Sequence, residues 1–335
     1  EKQAKIVQTQ SKGIDLNKIL KGLLNLPKIF LGLLKNPSIV YIDVTVKGPA
    51  FYRDSLHIWF CKIFRKKILV GFHSKGLSKE TLNPLKKRYY QKTFKNTKAI
   101  LLSELLYADI RNLFDRKNVY FNANGIEDQL DEREYKKILQ DKKNKKKRKL
   151  LFLSNMLESK GPLDVLKICN LLQKDRINFE CLFVGDWEDG KFKEIFLKYI
   201  KDNNLQNKCK FIGPKYEKEK FEILKTADFV IFPTKYPLEC YPLIILESFM
   251  FGLPVFSYDN GAIKEIIKED YMGYVAEEGD YEKLYHELKK RINKPQQNIR
   301  IREFFKKNYT FDKAEERLKK ILERELYLIK ENKNV

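Results

Sequence analysis

The chain has 335 residues and a formal net charge of +22, from 67 Lys and Arg against 45 Asp and Glu. That length holds two domains with separate cores, and a hydrophobic content of 43% excludes a disordered polycation. No apolar run is long enough to span a bilayer, no signal-peptide pattern is visible, and no His/Cys spacing suits structural zinc.

In chain order, Ala4–Thr9 reads as a strand and a helical region follows to Leu34. Within it, the lysine-dotted stretch Leu16–Leu34 reads either as an interfacial helix or as a helix packed on the first domain's sheet, and the packed reading is preferred. Ile39–Val46 is a buried strand, Tyr52–Phe64 a helix, and Lys67–Phe72 a strand ending at His73. A basic helix spans Asn83–Asn96, then come a strand at Ala99–Leu102, a helix at Tyr107–Phe114 and a strand at Val119–Phe121. Asp128–Lys149 reads as a connection between domains 1–128 and 149–301, with 129–148 as linker. The alternation then repeats: strands at Lys149–Ser154, Cys181–Val184 and Cys209–Ile212, helices at Leu163–Leu172 and Lys191–Asp202. Phe229–Pro233 is a strand, Pro242–Phe251 a helix with Pro in its first turn and Gly252 past its end, and Val255–Ser257 a strand. A helix at Tyr281–Arg291 and a long helical run at Arg302–Lys330 close the chain. Strands alternating with helices predict parallel sheets joined by right-handed crossovers.

Three partners compete to explain the positive charge: nucleic acid, an anionic membrane surface, and small phosphorylated ligands. The run KKNKKKRK at Lys142–Lys149 reads as a solvated linker. The run Lys86–Lys95 interleaves aromatics with lysines and suits RNA or lipid headgroups. No named nucleic-acid module is present, so nucleic acid is not expected and the membrane surface fits better. The five cysteines, Cys61, Cys169, Cys181, Cys209 and Cys240, are an odd number without CxxC spacing and sit mostly in apolar runs. Buried reduced thiols and a cytoplasmic location follow as expectations, and the excess of positive charge adds a peripheral place on the inner face of the membrane.

The segment Phe229–Glu247, FVIFPTKYPLECYPLIILE, carries the most chemistry. A strand–loop–helix unit in an open α/β sheet places its loop at the carboxyl edge of the strands, where ligands bind. The helix start offers unpaired amides to an anion. Glu239 falls in the loop and Glu247 more than a turn into an otherwise apolar helix, so the two carboxylates serve different ends. A charge among so many apolar neighbours needs a partner or ligand.

Downstream, Gly252-Leu253-Pro254-Val255, then Gly261-Ala262 and Glu265-Ile266-Ile267, complete a pattern over some forty residues. It resembles the donor-binding region of family-4 glycosyltransferases, the retaining enzymes of the GT-B fold, in which two Rossmann-like domains face each other across a cleft. The resemblance implies transfer of a hexose-type sugar from a nucleotide-diphosphate donor, UDP- or GDP-linked, to a saccharide acceptor, often lipid-linked. It implies no cofactor and, with no Asp-x-Asp at a strand end, no metal.

By the same resemblance, Glu247 binds the ribose hydroxyls, and Lys160, in Ser154–Gly161, contacts the diphosphate. Asn155 stands where the family has an Arg, which removes one cation. Glu239 contacts the sugar hydroxyls, and Cys240, Tyr241, Pro242, Leu243 and Ile244 supply the surrounding loop and helix start. Pro242 has no amide to offer. Ile212 reads the base, Gly185 forms a cleft turn, and His73 lines the cleft near sugar and acceptor. The terminal helix, 302–330, crosses back to the first domain in this family. Against the family pattern, the chain shows no opening strand with a Gly-rich loop before Ala4–Thr9. A same-fold phosphorylase or epimerase, and a non-catalytic binder of anionic surfaces, are the alternatives.

Overall fold

The computed structural model describes residues 25–143, 147–294 and 298–331. The expected strand at 4–9 and the first part of the 16–34 segment lie outside the described residues. The described chain divides into two compact units, one of residues 25–100, 109–120 and 325–331, the other of 101–108 and 121–324.

The first unit is built on β1 (Ile39–Val44), β2 (Lys67–Phe72), β3 (Thr97–Leu101) and β4 (Val119–Phe121), adjacent in that order. β1 and β2 pair in parallel, with Asp43 opposite Gly71 and Val44 opposite Phe72. Helix α1 (Leu26–Leu34) precedes β1, α2 (Gly48–Ile63) links β1 to β2, and α3 (Leu77–Glu80) and α4 (Pro84–Phe94) link β2 to β3. Phe51, Ile58 and Cys61 give α2 an inward face, and Phe51 stacks on Tyr90 of α4 at 4.0 Å. Asn83 caps α4 by accepting from the amides of Leu85 and Lys86, and Pro84 suits the first turn, where no amide is needed. The helix expected at Tyr107–Phe114 is shorter, α5 (Tyr107–Ile110), and passes into a turn in which the amides of Leu113 and Phe114 share the Ile110 carbonyl.

The second unit carries β5 (Arg148–Leu153), β6 (Phe179–Val184), β7 (Cys209–Phe211), β8 (Phe229–Phe232), β9 (Val255–Tyr258) and β10 (Gly273–Ala276). Their order is β10-β9-β8-β5-β6-β7 and every neighbouring pair is parallel. All residues of β8 and β9 are buried, as both faces of a central parallel strand must be. The helices are α6 (Glu132–Lys143), α7 (Pro162–Lys174), α8 (Gly190–Asp202), α9 (Glu217–Thr226), α10 (Leu243–Met250), α11 (Ile263–Ile266), α12 (Tyr281–Ile292), α13 (Asn298–Asn308) and α14 (Phe311–Glu331).

Two further segments depart from the sequence reading. The span 129–148, read as a linker, contains α6, started by Asp131, whose carboxylate accepts from the Glu134 amide at 2.8 Å. Just ahead of it, the buried Arg302 guanidinium donates to Asp128, to the Leu130 carbonyl (2.6 Å) and to the Met250 carbonyl (2.7 Å). The helical run Arg302–Lys330 is two helices. It breaks because Ile126 takes Tyr309 and Phe311 as backbone partners, at 2.9 Å each. Near the end of α14 the Glu325 carboxylate is buried in the first unit, bonded to Lys98 at 2.5 Å and to the Tyr120 hydroxyl.

All five cysteines are reduced and buried. Cys169 of α7, Cys181 of β6 and Cys209 of β7 meet in the second unit's core, and burial pushes the Cys169 thiol well above its ordinary range. Burial likewise raises Cys61, to about 11.

Candidate active site

In the second sheet the chain runs from β5 outward through β6 to β7, then returns to the other side of β5 for β8. The order reverses between β5 and β8, and ligands bind at the carboxyl edge of such a switch point. Two loops leave the sheet there, 154–161 after β5 and 233–242 after β8. They are clamped together: the Lys235 amide donates to the Ser159 carbonyl at 2.7 Å. Gly161 makes the approach feasible, because its φ of +81° is left-handed and a Cβ would run into the Pro233 carbonyl.

Across this junction Lys160 Nζ donates to Glu239 Oε2 at 2.6 Å, with the two side chains only 14% and 10% exposed. The Thr234 hydroxyl donates to the same carboxylate oxygen at 3.0 Å. The Lys160 ammonium also lies 4.3 Å from the centre of the Tyr236 ring. Below the pair, Asp164, in the first turn of α7, accepts from Lys235 and Lys167 at 2.9 Å and from the Tyr258 hydroxyl at 3.1 Å. Burial pushes the Asp164 carboxyl up, but its bonds to the two lysines hold it below the ordinary range. Asn260 ties the loop further, donating to the carbonyls of Thr234 and Tyr236. Gly261, at φ +63°, leaves room for the Glu239 carbonyl, which a Cβ would meet at 2.5 Å.

Pro242 ends the loop as the N-cap of α10, and no side chain caps that helix. The helix starts at Leu243 rather than at Pro242 and ends at Met250. Ile244, Ile245, Leu246, Phe249 and Met250 are buried, each contributing roughly 1.5–3 kcal/mol of apolar burial. That packing fixes where Glu247 points. Its carboxylate meets Lys220 of α9 at 2.5 Å. Burial pushes the Glu247 carboxyl above its usual range, against the pull of Lys220. Lys220 and Thr234 were not singled out from sequence. Lys220 sits in a run of alternating charges (EKEKF) that carries no signal of its own, while Thr234, just past a buried strand, could have been noticed.

The other expected site residues are placed as follows. Asn155 donates to Glu188 at 2.7 Å, across to the loop after β6. The Gly185 amide donates to the Gly213 carbonyl at 3.2 Å, joining the turns after β6 and β7. The Ile212 amide donates to the Phe183 carbonyl at 3.0 Å. The Cys240 carbonyl accepts from the Ala262 amide at 2.9 Å. The Tyr241 ring is buried against Tyr309, and burial raises its hydroxyl pKa. Leu243 is half exposed at the helix start and Ile244 is buried beside it.

His73 lies in the first unit, just past the end of β2, and its Nε2 bonds Asp43 at 2.8 Å. Asp43 also accepts from the Tyr41 hydroxyl at 2.7 Å. Burial acts to raise the Asp43 carboxyl, but the bonds to His73 and Tyr41 hold it below its usual range. A carboxylate held ionised against an imidazole fixes the ring's orientation. Asp43 is thus a second partner that the sequence did not flag. Among the described residues, no group of three His, Cys, Asp or Glu is placed to hold a metal ion, and no helix is long and apolar enough to cross a membrane.

Comparison with known proteins places the chain among relatives. Residues 134–309 match the family model described as glycosyl transferases group 1, a span that encloses Lys160, Glu239 and Glu247. The chain is 24% identical over 229 residues to the amylovoran biosynthesis glycosyltransferase AmsK of Erwinia amylovora, which covers 67% of this chain. It spans about half (54%) of the length of that relative. Among solved structures, a glycosyltransferase from Rickettsia africae superposes with a TM-score of 0.71 at 19% identity, over 95% of this chain and 83% of that one. Anabaena HepE, solved in complex with UDP, gives a TM-score of 0.72 at 15% identity, over 89% of this chain and 82% of that one. These structures share the fold of two α/β units with parallel sheets. The family model covers more than half of the sequence, and the chain therefore belongs to the glycosyl transferases group 1.

Proposed function

We propose that the chain is a retaining, family-4 type glycosyltransferase that moves a hexose-type sugar from a nucleotide-diphosphate donor to a saccharide acceptor, lipid-linked and met at the inner face of a membrane. The observation that carries this reading is the Lys160–Glu239 pair at the β5/β8 switch point, with Glu247 a few residues along the next helix. A diphosphate arriving at the start of α10 meets the helix amides and competes with Glu239 for Lys160. Glu239, relieved of its cation, then accepts hydrogen bonds from sugar hydroxyls and stabilises positive charge developing at the anomeric carbon. Glu247 accepts from the ribose diol. Lys160 balances negative charge on the leaving diphosphate, whose oxygen takes the acceptor's proton on the same face. His73, oriented by Asp43, serves the acceptor side.

The complexes of Anabaena HepE with UDP and with UDP-glucose make a UDP-linked donor the first to test. A thermal-shift screen of UDP-, GDP- and ADP-sugars should show a rise in melting point with one of them, and Glu247→Ala should diminish it. No shift with any nucleotide sugar, or an undiminished shift in the variant, would refute the donor site.

A further inference from the structure

The first unit presents a surface that the donor chemistry does not use. Helix α2 buries Phe51, Ile58 and Cys61 and turns Tyr52, Leu56 and Ile63 to solvent. The exposed three recur at helical spacing, and Ile63 is 75% exposed. The stripe continues onto both neighbouring helices. On one side, α1 packs on α2 through Phe30 against Phe60 and Phe64, and its Leu31 and Leu34 are each 61% exposed. On the other, α4 adjoins α2 through the Tyr52–Tyr89 ring contact, and Leu85 is 77% exposed. A monomer's surface tolerates scattered leucines, but not this many large apolar side chains on three adjoining helices without a partner.

The charge on these helices identifies the partner's chemistry. Together α1, α2 and α4 carry seven lysines and arginines and one acid, Asp54. Asp54 is buried and already bonded to Arg53 and to the Thr45 amide. The acid next in line, Glu80 of α3, is paired with Lys86 at 2.6 Å. Lys62 and Lys92 lie 5.1 and 5.3 Å from the Trp59 ring, between the apolar stripe and α4. Arg53 and Lys86 are spoken for by Asp54 and Glu80, but the cations still outnumber the acids, and aliphatic side chains flanked by such an excess match the acyl boundary and phosphate layer of an anionic bilayer. A nucleic-acid surface would instead stack bases on aromatics and gain nothing from exposed Leu and Ile.

We propose that the outer surface of α1, α2 and α4 docks on an anionic phospholipid bilayer. The inference rests on this surface alone, so it stands or falls apart from the donor site. The test is co-sedimentation of the full chain with vesicles of phosphatidylcholine alone and with about one third phosphatidylglycerol. The chain should bind only the anionic vesicles. The pair Leu56→Ser and Ile63→Ser should weaken binding roughly tenfold or more. The pair Arg88→Gln and Lys92→Gln should weaken it roughly 30-fold and flatten its salt dependence. All four positions sit at the surface. A retained melting temperature shows that each variant is folded, and the charge pair decides alone if the apolar pair is not. Equal binding to neutral vesicles, no vesicle binding by the parent chain, or binding unchanged in the folded variants would overturn the proposal. So would loss of single-stranded RNA binding, rather than vesicle binding, in the charge pair.

Discussion

Two carboxylate–lysine pairs in the second unit look alike on paper and behave differently. Glu239 joins Lys160 across two loops, and Glu247 joins Lys220 across two helices. The Glu239 carboxylate also receives the Thr234 hydroxyl, and its lysine rests on an aromatic ring. Glu247 has Lys220 against the burial imposed by α10, and burial wins, so its carboxyl titrates above the usual range. One cation does not repay the desolvation of a charge held in an apolar helix, whereas loops can bring several donors to one oxygen. Under the proposed function, the first pair trades partners when a donor binds and the second gains one.

The largest effect should come from Lys160→Ala. It removes the proposed diphosphate cation and strands Glu239 with Thr234, so kcat/KM should fall about 100- to 1000-fold. A loss confined to a few-fold would break the comparison, since Lys160 would then be a structural partner of Glu239 only. Next, Glu247→Ala should weaken nucleotide binding roughly 10- to 100-fold by calorimetry, the cost of losing hydrogen bonds to a charged group.

Glu247 and Asp164 can also be told apart by pH. Glu247 has a raised folded pKa, so its contribution to stability is present below the unfolded carboxyl value of about 4.3 and is lost as pH rises through the folded value. Urea unfolding should therefore show the parent losing stability relative to Glu247→Gln on going from acid to neutral pH. Asp164 carries the opposite sign. Its lowered pKa gives stability above about 3.9 that disappears on acidification through the folded value. Asp164→Asn should cost stability at neutral pH and little in acid, and the same trend in both variants would refute the assignment. The smallest change is Tyr236→Leu. Removing the ring under Lys160 should cost about 0.5–2 kcal/mol in kcat/KM, and Tyr236→Phe should restore it.

The alternation of strand and helix was legible because buried parallel strands are short apolar runs and their helices are amphipathic. Val119–Phe121 was placed to the residue. Glu247 stood out because a charge among apolar neighbours is rare, whereas Glu239 and Lys160 drew notice through their match to the family pattern. What stayed hidden was set by tertiary partners. The break after Asn308 depends on Ile126, nearly two hundred residues away, and no propensity marks it. The segment 129–148 looked like a linker because its charge outweighs its apolar content, yet Asp131 starts a helix there. Lys220 and Asp43 are ordinary surface residue types whose placement comes only from the fold.

The fate of the native thiols has a practical corollary. Every cysteine is interior, and those at Cys61, Cys169, Cys181 and Cys209 are held protonated by their surroundings. Maleimide reagents attack thiolates, so the unmodified protein should stay nearly unlabelled while it remains folded. A single Leu85→Cys substitution then accepts an environment-sensitive dye without first stripping the native sulfur, and fluorescence can report contact with a liposome in real time.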